Sequence, residues 1–146
     1  MQVKREAAKE QGGKEKIRVQ PKSEGIRKNI TILVVEDDDG CRNSIVRILA
    51  KEFKVKTARN GQEGLEKYKE GEIDVVITDL RMPIMDGFTL LMELQDLDPE
   101  SKVIVVSSLI TAENSEMLSD AGAKNIMKKP YDLEELHRAI VSLAGS

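Results

Sequence analysis

The chain has 146 residues, 40% hydrophobic and 34% charged, with a net charge of −3, the size and balance of one soluble domain with an ordinary core. No run approaches the roughly 20 apolar residues that a membrane-spanning helix needs, and no apolar segment follows the charged first residues as a secretory signal requires. Cys41 is the sole cysteine, so an internal disulfide is excluded and a reducing cytoplasm is the expected compartment.

Residues 1–29 hold nine Lys or Arg against four Glu, a balance of +5 that leaves −8 on the remainder. Gly12, Gly13, Pro21 and Gly25 interrupt this stretch, and it has too few apolar residues to bury a surface of its own. It reads as a solvated basic tail or linker, with direct nucleic-acid binding not expected. The folded domain is expected over 30–146.

There the pattern changes to short apolar runs alternating with amphipathic stretches. Thr31–Val35, Lys54–Ala58, Ile73–Thr78, Lys102–Val106 and Lys124–Met127 predict five strands rich in Val and Ile. Helical spacing follows each. Ile45, Ile48, Leu49 and Phe53 share one side of the first helix, Leu65 and Tyr68 mark the second, and Phe88, Leu91, Leu94 and Leu97 the third. Met117, Leu118 and Ala121 anchor a weaker fourth, and Leu133, Leu136, Ile140 and Leu143 stripe the fifth. Strict alternation of strand and helix predicts right-handed crossovers on a parallel sheet, a doubly wound α/β domain.

Ligands of such folds sit beyond the carboxyl ends of the strands. Those ends hold Glu36, Asp37, Asp38 and Asp39 after the first strand, Asp79 after the third, Ser107 and Ser108 after the fourth, and Lys128, Lys129 and Pro130 after the fifth. Crowded carboxylates raise one another's pKa unless a cation sits among them. Oxygen ligands without His or Cys favour Mg²⁺, which keeps several waters and commonly bridges to phosphate. Asp79 could then act as a carboxylate nucleophile toward phosphorus, with Lys129 neutralising the transferring oxygens and Ser107 donating to the bound group.

In order and spacing, Val34-Val35-Glu36-Asp37-Asp38, the run Asp79-Leu80-Arg81-Met82-Pro83-Ile84-Met85-Asp86-Gly87, then Ser107 and, 22 positions later, Lys129-Pro130 resemble the receiver family of two-component response regulators. The resemblance spans residue 30 to about 144. It implies a flavodoxin-like (βα)5 fold with five parallel strands in the order 2-1-3-4-5. It also implies Asp79 as phosphoacceptor and Glu36, Asp37, Asp79 and the main-chain carbonyl of Arg81 around a Mg²⁺ or Mn²⁺ ion, Glu36 mainly through water. Ser107 would be the switch hydroxyl, Lys129 the phosphoryl-contacting cation, and the Lys129-Pro130 peptide would be cis. The implied partners are a sensor histidine kinase or histidine phosphotransfer protein and a downstream effector protein or domain. Homodimer formation on phosphorylation is left open. Chemistry of its own would be limited to self-phosphorylation and slow autodephosphorylation, so the domain is expected to be a switch and not an enzyme.

Plainer roles suit several of these residues. Asp38, Asp39 and Asp86 fit helix capping or turns; Ser107 could cap the next helix, or Ser108 could take its role. His137 is remote from the acids and reads as a half-exposed helical residue, Cys41 as packed, and the six Met as core filling. Many receivers carry an aromatic three residues before the lysine, where this chain has Ile126, so signalling is expected to use the loop after Ser107 and the fourth helix. A phosphohydrolase with an aspartyl intermediate commonly has a second acid two residues after the nucleophile, where Arg81 stands. A nucleotide-binding fold is disfavoured because no Gly-rich phosphate loop follows the first strand.

Overall fold

The computed structural model describes residues 27–145; the rest of the basic stretch before Arg27 lies outside the described residues. The chain alternates β1 (Arg27–Val35), α1 (Asp39–Leu49), β2 (Phe53–Ala58), α2 (Gly61–Lys69), β3 (Val75–Thr78), α3 (Gly87–Leu97), β4 (Val103–Ser107), α4 (Ala112–Asp120), β5 (Asn125–Lys128) and α5 (Leu133–Ala144). Every strand pairing is parallel, and the order across the sheet is β2-β1-β3-β4-β5. This is the doubly wound order expected from the resemblance.

The period of two along β1 divides the core. Ile32 and Val34 face one side with Ile45 and Leu49 of α1 and Leu136 and Ile140 of α5. Leu33 and Val35 face the other with Leu65 of α2, Leu90, Leu91 and Leu94 of α3, and Leu118 of α4. The central strands are covered on both faces, which is why their sequences are continuously apolar. Each fully buried Leu or Ile contributes about 1.5–3 kcal/mol of transfer free energy.

Side chains open the helices. Asp38, Asn60, Asp86, Thr111 and Asp132 are the N-caps of α1 to α5, each accepting from a backbone N–H of the first turn. Thr111 and Asn114 form a reciprocal capping box, so the α4 cap is not Ser107.

Three expectations need correction. Phe53 is not on the first helix: Glu52 N–H donates to Leu49 O in a closing turn, and Phe53 opens β2 fully buried. Ile73 and Asp74 precede β3, because the Asp74 carboxylate accepts from Thr31 N–H at 2.8 Å and replaces a ladder bond. The methionines are not uniformly core: Met82 and Met127 are buried, but Met92 and Met117 are 50% and 53% exposed. At the start of the domain, β1 reaches back to Arg27, whose N–H donates to Glu52 O, with a register shift before Thr31.

Candidate functional site

The carboxyl ends of β1, β3, β4 and β5 meet at a crevice of about 780 Å³, whose wall includes Glu36, Asp38, Asp79, Ser108, Lys129 and Pro130. Asp79 follows β3 directly, and its N–H donates to Val35 O, fixing it beside the end of β1. Its Oδ1 accepts from its neighbour Leu80 N–H at 2.6 Å. Lys129 follows β5, and its N–H donates to Ser107 O. The Lys129-Pro130 peptide is cis.

Lys129 joins the acids. Its Nζ donates to Asp79 Oδ2 and to Glu36 Oε1, both at 3.0 Å, although these residues lie 50 and 93 positions away. Burial is the largest influence on Glu36 and pushes its carboxyl above the usual value, against bonds from Asp38 N–H and Lys129. Burial opposes the charged form of Asp79 too, but Lys129 and Leu80 N–H together outweigh it and hold this carboxyl below its usual value. The same burial would lower Lys129, yet the two carboxylates overcome it and raise the ammonium's pKa. Asp79 is therefore an ionised carboxylate at neutral pH, with a cation in contact.

Other expected residues stand apart from that contact. Asp37 is exposed and absent from the crevice wall, next to the N-cap Asp38. Arg81 lines a separate depression with Met82, Asp86 and Leu109. Ser107 is fully buried, and its Oγ accepts from Leu109 N–H at 3.1 Å, whereas Ser108 reaches the crevice wall. Among the described residues, no three His, Cys, Asp or Glu side chains are grouped as a metal cage. Lys129 bridges Glu36 and Asp79 and offsets part of their charge. The donor types still suit a hard cation: Glu36, Asp37, Asp79 and the Arg81 carbonyl offer oxygen only, and Mg²⁺ needs few protein ligands because it retains water.

Two supporting residues are not apparent from strand ends. Arg42 Nη1 donates to Glu36 O at 2.9 Å while its Nη2 pairs with Asp39, bracing the acidic loop from the first helix. A Cβ on Gly87 would meet Asp79 O at 2.0 Å, so α3 can begin against the Asp79 backbone only because residue 87 is glycine. Cys41 is exposed and lines the crevice, contrary to the packed position expected. Its N–H donates to the N-cap Asp38, which holds it in the first turn at the domain surface. His137 lies on α5, where Nε2 contacts Glu52 Oε1 at 2.8 Å and the ring is tilted against Phe53.

Fold and site together define a doubly wound α/β domain with acids and a lysine joined at the carboxyl edge of its sheet. The response regulator receiver domain profile matches residues 32–141, and the chain belongs to that family. Chemotaxis protein CheY of Bacillus subtilis is 37% identical over 113 residues, which cover 75% of this chain and 92% of that protein. Transcriptional regulatory protein GlrR of Escherichia coli is 33% identical over 110 residues; these are 75% of this chain but only 25% of the regulator. The CheX-CheY-BeF3-Mg complex from Borrelia burgdorferi contains a chain of similar fold, with a TM-score of 0.76 and 29% identity over 84% of this chain and 97% of that one. The domain is thus a receiver domain of two-component signalling. No helix among the described residues is long and apolar enough to cross a membrane.

Proposed function

We propose that Asp79 accepts a phosphoryl group from a phosphohistidine on a sensor kinase or histidine phosphotransfer protein. The Asp79 carboxylate forms the new O–P bond as the donor's N–P bond breaks, and the electron pair returns to the imidazole nitrogen. The observation that carries this reading is the contact of Lys129 Nζ at 3.0 Å with Asp79, which keeps the nucleophile ionised and leaves a cation where the transferring oxygens gain charge. Glu36, Asp37, Asp79 and the Arg81 carbonyl would hold Mg²⁺ or Mn²⁺, which supplies further positive charge when bound. The Borrelia relative was solved with BeF3 and Mg, which supports the same ligand chemistry here.

After transfer, Ser107 donates its hydroxyl proton to the phosphoryl group, and the loop to Thr111 and α4 follow it to present a changed surface to an effector or a second copy. Slow hydrolysis of the acyl phosphate returns the domain to its resting state, and a reducing cytoplasm suits the single exposed thiol. The test is incubation of the chain with acetyl phosphate, with and without Mg²⁺, followed by intact mass measurement. One phosphoryl group should be gained in a Mg²⁺-dependent manner and none by Asp79→Asn. Undiminished labelling of that variant overturns the assignment.

A further inference from the structure

The exposed methionines sit in a groove away from the crevice, between α3 and α4, lined by Phe88, Met92, Gln95, Asp96, Met117 and Asp120. Unbranched thioether side chains make a surface that adapts to an inserted apolar group. The two helices carry Glu93, Asp96, Glu113, Glu116 and Asp120 and not one Lys or Arg, and none of these five acids is ion-paired within the described residues. An apolar floor with an acidic rim selects an apolar segment flanked by cations.

The same chain contains one. Residues 14–20 read Lys-Glu-Lys-Ile-Arg-Val-Gln, with Ile17 and Val19 alternating with Lys16 and Arg18. Composition alone reads this stretch as solvated, but the groove supplies a counter-surface that composition cannot reveal.

It is also within reach. Gln95 Nε2 donates to Ser101 Oγ at 2.7 Å just before β4, and a Cβ on Gly122 would touch the Gln95 side chain. The lower end of the groove therefore opens at the edge of the sheet where strands begin, the edge at which Arg27 enters. Arg27 starts β1, two strands from β4, a lateral distance of about 10 Å at the usual strand spacing. The seven steps from Gln20 to Arg27 span up to about 23 Å when extended, enough for that distance and the helix layer.

We infer that the α3–α4 groove is the docking site of the chain's own Lys14–Gln20 stretch, with Ile17 and Val19 against Met92 and Met117 and with Lys16 and Arg18 toward Asp96 and Asp120.

Paramagnetic NMR on the full chain tests this. With Cys41→Ser and Gln20→Cys carrying a nitroxide, the amides of Met92, Gln95, Met117 and Ala121 should lose intensity relative to the reduced label. That loss should disappear with Lys16→Glu plus Arg18→Glu, with Asp96→Lys plus Asp120→Lys, and in about 1 M salt, where the screening length falls to about 3 Å. A label that leaves these amides no weaker than the rest of the surface overturns the proposal. So does broadening seen only when labelled chain is mixed with a separate ¹⁵N-labelled copy, since the occupant is then a second molecule. Broadening that survives both charge reversals and salt overturns the pairing of Lys16 and Arg18 with the acidic rim.

Discussion

Leu109 N–H donates to Ser107 Oγ at 3.1 Å, so the buried hydroxyl is already an acceptor for its own loop and keeps its proton to donate elsewhere. That bond ties any displacement of Ser107 to the backbone leading into α4. In the proposed transfer the Asp79 carboxylate would attack phosphorus without this hydroxyl, because Lys129 already meets it. Ser107→Ala should therefore still be labelled by acetyl phosphate but show much smaller amide shift changes over residues 112–126. A hydrogen bond to a charged group is worth about 1.5–3 kcal/mol, or roughly one to two decades in a two-state equilibrium. Full shift changes in Ser107→Ala with their loss in Ser108→Ala would move the switch to Ser108, which lines the crevice.

Lys129 is the one cation in contact with both Glu36 and Asp79 among the described residues. Removing it leaves two carboxylates facing each other and, in the proposed transfer, would take a donor from the transferring oxygens. Lys129→Ala should slow labelling by about two to three orders of magnitude, the usual effect of deleting one such donor. Time courses of intact mass against wild type measure it, and equal rates would assign the charge stabilisation elsewhere.

The sheet was legible because five Val- and Ile-rich runs alternate with helical periods, and the meeting of Glu36, Asp79 and Lys129 because they stand at the ends of strands that this topology aligns. Contacts that depend on three dimensions were not. Phe53 continues the spacing of Ile45 and Leu49 and so resembles a helix position, yet the chain turns at Ala50 and Phe53 begins β2. The bridge from Lys129 to both acids, the withdrawal of Ser107 from the crevice wall, and the exposure of Met92 and Met117 follow from how α3, α4 and the loops pack. No period in the sequence encodes them.

Gly87 opens α3, and its role there is close approach to the Asp79 backbone. In an ordinary helix Gly→Ala gains about 0.8–1 kcal/mol. Here the new Cβ would lie 2.0 Å from Asp79 O, so the sign reverses. Gly87→Ala should lose about 1–3 kcal/mol in urea unfolding and label more slowly, because the Asp79 backbone must shift. A more stable variant would mean that α3 does not press on Asp79.

Ile84 is 82% exposed in the left-handed region at φ 73°. A β-branched residue is strained there by about 1–2 kcal/mol, and Asn tolerates the conformation better. Ile84→Asn should raise the urea midpoint, corresponding to a gain of about 1 kcal/mol in stability, without adding a contact. A lower midpoint would mean that the Ile84 side chain contributes packing that outweighs the strain.

Tyr68 Oη donates to Asp98 Oδ2 at 2.7 Å. Burial first, and then Asp98, raise the Tyr68 pKa well above its usual 10. The unfolded chain therefore releases this proton near pH 10 while the folded one retains it. The resulting stabilisation is fully present below pH 10 and is lost as pH rises toward the folded value. Tyr68→Phe should cost about 1 kcal/mol at pH 7, less than the full value of a charged hydrogen bond because the pair is partly exposed. Lys129 and Tyr131 are also raised, but they titrate in both proteins and cancel in the difference. The stability gap between wild type and Tyr68→Phe should thus narrow from about pH 10 upward, as read from urea unfolding at a series of pH values between about 7 and 11. A gap that stays constant across that range would show that the folded state does not hold the Tyr68 proton against Asp98.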